Sequence, residues 1–397
     1  MRISTSMLFQ QGLNGILDQQ ARTSRTFEQL ATGQRVNSVS DDPIAASRIQ
    51  ELERAVSQQS SYIDNIGRAQ QRLAIEENAL DAVGTVVRRV RELAVQASND
   101  TNGTDGRRLI AVELRQRLDE LVALGNSQSG EGEFIFAGAQ SQTRPFVRDA
   151  GAVTYVGDGV QRELLIGPGT TIAEGDTGDA IFMRIRSGNG VVSAAPAAGN
   201  TGNGVIRPEP GTDTTVFDGA AFTISFTDPQ TYEILDADSN VVGGGAFESG
   251  GRIDFNGVRL VINGAPEAGD SFDVAPSSFE SLFATVDKLA TALEQAPGDA
   301  ASRAGQRQMI DDALGQLDRS ENRLLEVRAS VGGRLNTLED VQNTQEAVRF
   351  SLESLASDVR DLDFAEAISR LQQELFTLQA SQQAFSRIQG NSLFNFI

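Results

Sequence analysis

The stretch that decides the fold is residues 310–359, IDDALGQLDRSENRLLEVRASVGGRLNTLEDVQNTQEAVRFSLESLASDV. Eight positions at strict seven-residue spacing form one stripe along it, and all but one are apolar: Ile310, Leu317, Leu324, Val331, Leu338, Gln345, Leu352 and Val359. Such a stripe predicts a long helix packed lengthwise on another helix, as in a coiled coil. A helix that covers the core of its own domain would show the same stripe. Both descriptions hold if two long helices cover each other.

The N-terminal flank carries a matching pattern. Asp42 is a good N-cap and Pro43 suits the first helical turn, so a long helix is predicted to begin there. Its stripe consists of Leu52, Val56, Ile63, Ile66, Leu73, Leu80, Val87 and Ala94, interrupted by Gln59, Gln70 and Glu77. Gly33 is predicted to end a shorter helix before it. After fraying near residues 99–103, a third helix is expected over residues 107–124.

Each end of the chain carries a further amphipathic segment whose apolar stripe is diluted by polar residues. Burying a Leu or Phe side chain contributes about 1.5–3 kcal/mol, whereas ordering one residue costs roughly 1–2 kcal/mol. A lone segment of this kind is therefore marginal and needs partner helices, from the other terminus or from neighbouring copies. The candidate assembly interface consists of Phe9, Leu13, Ile16, Phe27, Leu30, Phe364, Ile368, Leu371, Leu375, Leu378, Phe385 and Ile388.

The middle of the chain, residues 145–275, has a different composition. It holds 22 of the 39 Gly residues and carries 7 Arg against 18 Asp and Glu, a net charge of −11. Residues 154–156 and 222–226 alternate with the period of a half-buried strand, and residues 252–264 indicate two strands around an Asn-Gly turn. Residues 194–213, rich in Gly, Pro and Ala, are expected to form a surface loop.

The predicted fold class is α+β: a long antiparallel, coiled-coil-like helical rod built from both termini, with a β-rich middle domain inserted in it. Three domains are expected: residues 1–43 with 363–397 as a terminal helical assembly domain, 44–144 with 276–362 as a helical rod domain, and 145–275 as a β-rich outer domain.

The composition argues against an enzyme. The chain contains no Cys and no His, which removes thiol nucleophiles, imidazole bases and the usual zinc ligands. The single Lys, Lys288, lies in a pattern typical of a solvated helix position. Residues 236–247 begin like a calcium loop, but Val241 stands where Gly is required and Phe247 where Glu is required, so a hairpin turn is favoured. No cofactor and no metal are expected.

Neighbouring carboxylates do not form a catalytic pair either. Asp311 and Asp312, like Glu76 and Glu77, are adjacent on predicted helices. Adjacent helical residues point to different faces, so the two carboxylates cannot flank one bond. We expect them to be solvated charges.

The net charge of −20 argues against two classes of partner, because an acidic surface repels the phosphates of nucleic acids and of anionic membranes. No run approaches the ~18 apolar residues of a membrane span, so no membrane insertion is expected. Residues 1–20 show no cleavable signal peptide. Export would therefore use a route that cleaves no such signal.

Several segments carry a family resemblance. Residues 30–38 (LATGQRVNS) followed by 41–43 (DDP), and residues 90–99 (VRELAVQASN), resemble the N-terminal signature of the flagellin superfamily. Within it, further segments are similar to the hook-associated proteins of the hook–filament junction rather than to flagellin: residues 1–7, 134–138 with 145–146, 155–158, 264–274 and 391–397. The resemblance covers both flanks well and the middle loosely.

The resemblance implies a non-enzymatic structural subunit of the extracellular bacterial flagellum. The implied partners are the first hook-associated protein, flagellin, further copies of the chain in a ring, and a chaperone that holds the C-terminal helix before export through the flagellar type III channel. The main alternative is flagellin itself, which would be far more abundant in purified filaments. An enzyme or a soluble binding module is the more distant alternative, and a saturable ligand of the middle domain would favour it.

Overall fold

The computed structural model describes residues 5–99, 102–149 and 151–390, without the side chains of residues 5, 6, 8 and 388–390. Among them are six α-helices: α1 (Thr5–Thr32), α2 (Pro43–Ser98), α3 (Thr104–Gly125), α4 (Leu282–Glu294), α5 (Ala300–Arg360) and α6 (Phe364–Gly390). The resemblance drawn from residues 1–4 and 391–397 lies outside the described residues. The remaining helical prediction is confirmed, including a long helix on each flank.

The predicted helix ends are also confirmed. Helix α1 ends at Thr32, and Gly33 follows with a φ of +71°, a left-handed conformation that Gly adopts without strain. Helix α2 begins at Pro43, where the Asp42 carboxylate accepts a hydrogen bond of 3.0 Å from the Ala45 N–H. Helix α3 begins three residues earlier than its pattern predicted, at Thr104 rather than Arg107.

The stripe of α5 is buried along its first five members, from Ile310 to Leu338, and half-buried at Leu352 and Val359. Its one polar member, Gln345, is buried and accepts a hydrogen bond from the Gln59 side chain on α2. The interruptions in the two stripes therefore meet each other, which gives each buried amide a hydrogen-bond partner inside the helix pair.

Between α3 and α4, the described residues form fourteen strands: β1 (Phe146–Asp149), β2 (Ala152–Tyr155), β3 (Glu163–Gly167), β4 (Thr170–Ala173), β5 (Ile185–Arg186), β6 (Val192–Pro196), β7 (Val205–Pro208), β8 (Phe222–Asp228), β9 (Thr231–Asp236), β10 (Val241–Ala246), β11 (Arg252–Phe255), β12 (Val258–Asn263), β13 (Ser271–Pro276) and β14 (Phe279–Glu280). A π-helix, Asp179–Met183, lies between β4 and β5. All the strand pairs are antiparallel.

The strands from β6 to β13 form two sheets around one core. A five-stranded sheet has the order β10-β9-β8-β13-β6, and a three-stranded sheet has the order β11-β12-β7. Their inward side chains make one hydrophobic cluster that includes Phe222, Ile224, Leu260 and Phe272. The Asn-Gly hairpin is confirmed, with Asn256 and Gly257 at φ of +44° and +77° between β11 and β12.

The expectation of a surface loop over residues 194–213 is wrong in part. This segment holds the end of β6 and the whole of β7, and Ile206 is completely buried. Its Gly and Pro residues lie between and after these strands rather than within them, except where a strand ends on Pro. Composition over twenty residues concealed two strands that are four or five residues long.

A second core joins the helices to the first strands. The rings of Phe146, Phe182 and Phe283 contact one another, with centroids 5.0–5.6 Å apart, and Tyr155 stacks on Phe146 at 5.3 Å. Phe136 adds an edge-on contact to Phe182 at 5.4 Å. Aromatic pairs at these distances are favourable beyond the area that they bury.

One carboxylate expected in solvent is buried. Glu76 on α2 is only 1% exposed, and its carboxylate accepts a hydrogen bond of 3.1 Å from the Asp176 N–H. Burial raises the pKa of Glu76 to about 8, the Asp176 carboxylate adds to the rise, and Arg334 and Arg72 oppose it. The expectation of solvated charge is therefore wrong for Glu76, because residues distant in sequence fold over that face of the helix.

Its neighbour Glu77 is half-buried and pairs with Arg328 at 2.6 Å. Asp311 and Asp312 have exposed side chains, as predicted, but partial burial of their carboxylates raises the pKa of both, that of Asp312 to about 6. Lys288 is exposed as well, and its Nζ atom lies 2.6 Å from a carboxylate oxygen of Glu280.

The chain divides into two compact units, residues 1–64 with 341–397 and residues 65–340. The three-domain division, with boundaries near residues 43, 144, 275 and 362, stays a proposal. Within the described residues, no helix has the length and apolar character needed to cross a membrane.

Candidate assembly surface

The first compact unit contains the two terminal helices, which pair antiparallel. The ring of Phe9 near the start of α1 lies 4.9 Å from the ring of Phe385 near the end of α6. Farther along, the Gln19 side chain donates a hydrogen bond of 3.2 Å to the Glu374 carbonyl. Gly12 lets the helices approach closely, because a Cβ atom there would lie 3.0 Å from the Phe385 ring.

The covered positions on the two helices alternate at spacings of three and four residues, as in a coiled-coil seam. We call them the seam: Gly12, Ile16, Gln19, Thr23, Thr26 and Leu30 on α1, with Ala367, Leu371, Glu374, Leu378, Ser381 and Phe385 on α6. Five of the predicted interface residues belong to it, namely Ile16, Leu30, Leu371, Leu378 and Phe385, and each is only half-buried. Five of the twelve seam positions are polar, as expected of a marginal helix pair.

The other described interface residues lie beside the seam and stay exposed. We call them the outer stripe: Phe9, Leu13 and Phe27 on α1, with Phe364, Ile368 and Leu375 on α6. Their exposed fractions run from 40% for Leu13 to 66% for Phe27. The structure thus brings the predicted residues together on one helix pair and divides them into a seam and an outer stripe. The twelfth residue, Ile388, has a side chain outside the described residues.

Three exposed apolar residues of the terminal helices were missed by the sequence analysis. Met7, Leu17 and Phe376 are all more than half exposed, and Phe376 reaches 73%. They depart from the three-four spacing by which the candidates were chosen. The sequence could have indicated them, because a mostly polar helix cannot be buried on every face and a large apolar side chain off its main stripe is then expected to be exposed.

A compact joint connects the terminal helices to the long ones. The backbone of Gly33 accepts a hydrogen bond of 3.0 Å from the Leu362 N–H, and the Arg35 N–H donates to the Arg360 carbonyl at 2.7 Å. The Arg35 guanidinium also donates to the Val359 carbonyl at 2.8 Å. The segment between α1 and α2 is thereby fixed to the segment between α5 and α6.

Two carboxylates order this joint. Asp41 accepts hydrogen bonds from the Ser38 and Asn37 N–H groups at 2.9 and 3.2 Å, and the bond from Ser38 holds the pKa of Asp41 below its usual value. The bond from the Ala45 N–H does the same for the pKa of Asp42. Both carboxylates are ionised at neutral pH: Asp42 caps α2, and Asp41 orders the turn before it.

The described residues hold no group of three or more His, Cys, Asp and Glu side chains that could bind a metal ion. The candidate surface is a helix pair that covers itself incompletely, beside a joint fixed by backbone hydrogen bonds.

Comparisons with known proteins agree with this geometry. Residues 3–141 match the bacterial flagellin N-terminal helical region, and residues 308–397 match the bacterial flagellin C-terminal helical region. The crystal structure of FlgL from Xanthomonas campestris is 32% identical, with a TM-score of 0.73, over 77% of this chain and 99% of that one. The chain belongs to the FlgL family. It is a structural protein of the bacterial flagellum.

The full-length relatives are named for the same family. Flagellar hook-associated protein 3 of Escherichia coli K12 is 29% identical over 395 residues, which is 99% of both chains. The phase 1 flagellin of Salmonella naestved is 35% identical over only 133 residues, 32% of this chain and 25% of the flagellin. The prediction of a hook-associated junction protein, in preference to flagellin, is confirmed, and so is the α+β fold class.

Proposed function

We propose that this FlgL-family chain is the subunit that joins the flagellar hook to the flagellin filament, and that the outer stripe is the surface through which it assembles. The observation that carries the proposal is that the single chain leaves all six large apolar side chains of the outer stripe exposed on α1 and α6. Burying one such side chain contributes about 1.5–3 kcal/mol. Neighbouring terminal helices would supply the cover that one chain lacks.

The proposed partners are those that the family resemblance implies. Further copies of the chain, arranged in a ring, would cover part of each outer stripe. The first hook-associated protein on the hook side and flagellin on the filament side would cover the rest. The two regions that match flagellin contain both terminal helices, α1 and α6. Flagellin would therefore pack terminal helices of the same kind against them.

Export is proposed through the flagellar type III channel, with no cleaved signal peptide. Before assembly, the exposed side chains of α6 would favour aggregation. A chaperone that holds this helix would prevent it. The location outside the cell, in the flagellum, is what the family implies, and no catalytic step is proposed.

The test is to place the chain by electron microscopy in a strain that lacks its own hook-associated protein 3. A small epitope tag in the exposed β9–β10 turn, labelled with gold, should mark the joint between hook and filament. Label spread along the filament would show that the chain acts as flagellin. Absence of label from assembled flagella, with restored motility, would contradict the proposal.

A further inference from the structure

The five-stranded sheet ends on a strand whose outer edge is bare. Strand β10 pairs with β9 on one side, and no other strand of the described residues pairs with it on the other. Its sequence is VVGGGA, with neither a charged residue nor a Pro to block a further strand. The opposite edge strand, β6, ends on Pro196, which cannot donate a backbone hydrogen bond.

The outer edge of β10 is open along most of the strand. A bulge between Val241 and Gly243 protects only the beginning of the strand, and the pairing with β9 then runs without interruption from Gly243 to Ala246. Three consecutive glycines leave this part without side chains to screen its N–H and C=O groups. Val241 and Val242 are 59% and 54% exposed, so they add an apolar start to the same edge.

The segment of chain that contains this edge carries charge of one sign. Residues 208–251, which contain β8, β9 and β10 with their turns, hold eight carboxylates and no Lys or Arg. Glu233 lies opposite Gly244 on the neighbouring strand, and Asp236 and Asp238 form the turn that leads into β10. A second copy of this edge would bring the same carboxylates together, which disfavours pairing between two copies.

We propose that the edge of β10 binds an extended, cationic segment of another protein as an added strand. Backbone hydrogen bonds to the glycine-rich edge supply the pairing, in the manner of β-strand addition. Lys or Arg side chains of the added strand meet the carboxylates of β9 and its turn. This surface belongs to the second compact unit and is independent of the outer stripe, so the inference goes beyond the proposed function.

The test uses the full chain and a fluorescent peptide of about eight residues, the length of a short strand, that alternates lysine with valine. Binding is measured by anisotropy at low salt, beside a peptide with glutamate in place of lysine. Two further peptides carry N-methyl groups on one or the other alternate set of amides. Only one alternate set faces the chain in an added strand, so one methylated peptide should bind about tenfold more weakly and the other should bind normally.

Two matched variants of the chain locate the site. Ala246→Lys places a charge on the regular part of the edge, whereas Ala237→Lys makes the same charge change in the exposed β9–β10 turn. Ala246→Lys should lose most of the binding, and Ala237→Lys should lose little. Equal loss in the two variants, or equal binding of both methylated peptides, would show attraction by charge alone and overturn the proposal. So would a chain that binds no peptide and instead dimerises through this edge.

Discussion

Gly12 and Gly15 of α1 differ in the space available for a side chain, and this difference tests the contact between α1 and α6. A Cβ atom at Gly12 would lie 3.0 Å from the Phe385 ring, whereas one at Gly15 would meet nothing within 4 Å. Replacing Gly by Ala inside a helix favours the helix by about 0.8–1 kcal/mol. We expect Gly15→Ala to show this gain in helicity and thermal stability of the terminal pair.

Gly12→Ala should show less of that gain or none, because the Phe385 ring must move away. Circular dichroism of the two variants, beside the unchanged chain, measures the difference. An equal gain in both would show that α1 and α6 are not in close contact in the free chain.

Glu76 provides a second residue-scale prediction, on pH. Its pKa is raised to about 8 from an ordinary value of 4.5. The folded chain therefore binds a proton that the unfolded chain has lost, and stability falls as pH rises between these two values. Glu76→Gln should remove this fall, which is of the order of a few kcal/mol.

Urea unfolding at a series of pH values measures this fall in stability. Glu77→Gln is the matched control: it removes the ion pair with Arg328 but leaves Glu76 in place, so the fall with pH should remain. Identical pH profiles for the unchanged chain and Glu76→Gln would contradict the assignment. Sequence reasoning missed this group because its partners, Asp176, Arg72 and Arg334, include residues far from it in the chain.

At the scale of elements, local patterns predicted the helices and their antiparallel pairing, but not which face of each terminal helix is covered. The Asp42-Pro43 start, the Gly33 end and the Asn256-Gly257 hairpin each depend on a few adjacent residues, and the structure has all three. The division of the terminal stripe into seam and outer stripe depends on how α1 and α6 turn toward each other. Neither helix alone specifies that rotation, so the sequence predicted the residues without their two roles.

The seam yields a prediction for this helix pair. Leu371 and Leu378 are half-buried on α6, one heptad apart, facing α1. Replacing both with Asp puts unpaired charge into the pair, which costs several kcal/mol for each buried charge. We expect the free chain to lose the helical signal and protease protection of α1 and α6.

The rest of the chain should keep its stability, since the aromatic core around Phe146 is distant in sequence and has its own contacts. Hydrogen exchange of the free chain, read separately for α6 and for the middle of α5, would measure both effects. Full protection of α6 in the variant would contradict the seam.

At the scale of the whole molecule, the two-sheet part begins and ends at one place, where β5 and β14 lie side by side, so it can be removed there. Strands β5 and β14 pair side by side, with Arg186 opposite Phe279, and the Ser187 N–H donates to the Ser278 carbonyl at 2.8 Å. The hydrophobic cluster of the two sheets lies entirely between these points. A short turn in place of residues 188–277 should therefore leave a folded chain with its helical content preserved, at the loss of the two hydrogen bonds between the Gln308 side chain on α5 and the Ile206 backbone.

A deletion at residues 150–270, near the boundaries predicted from composition, is the matched comparison. It would remove Tyr155 and Phe182, which pack on Phe146, and loss of one buried Phe side chain costs about 3–5 kcal/mol. This variant should unfold at a much lower temperature. The reverse order of stability would show that the two-sheet part supports the helices. Composition indicated a β-rich middle region but not the β5–β14 pair where the two-sheet part begins and ends, because these two short strands do not differ in composition from their neighbours.

The central claim is that the outer stripe is the assembly surface, and genetic complementation tests it most directly. Ile368 and Leu375 lie one heptad apart on the exposed side of the seam, and both become Asp in one variant. The control changes Gln373 and Ala380, also exposed and one heptad apart on α6, to Asp. Each variant is expressed in a strain lacking its own hook-associated protein 3, and cells with attached filaments are counted beside thermal unfolding of the purified chain.

We predict that Ile368→Asp with Leu375→Asp leaves the unfolding transition unchanged but abolishes attached filaments, with flagellin released into the medium. The control pair should keep most of its filaments. Normal filaments on the Ile368 and Leu375 double variant would contradict the claim that the outer stripe is the assembly surface.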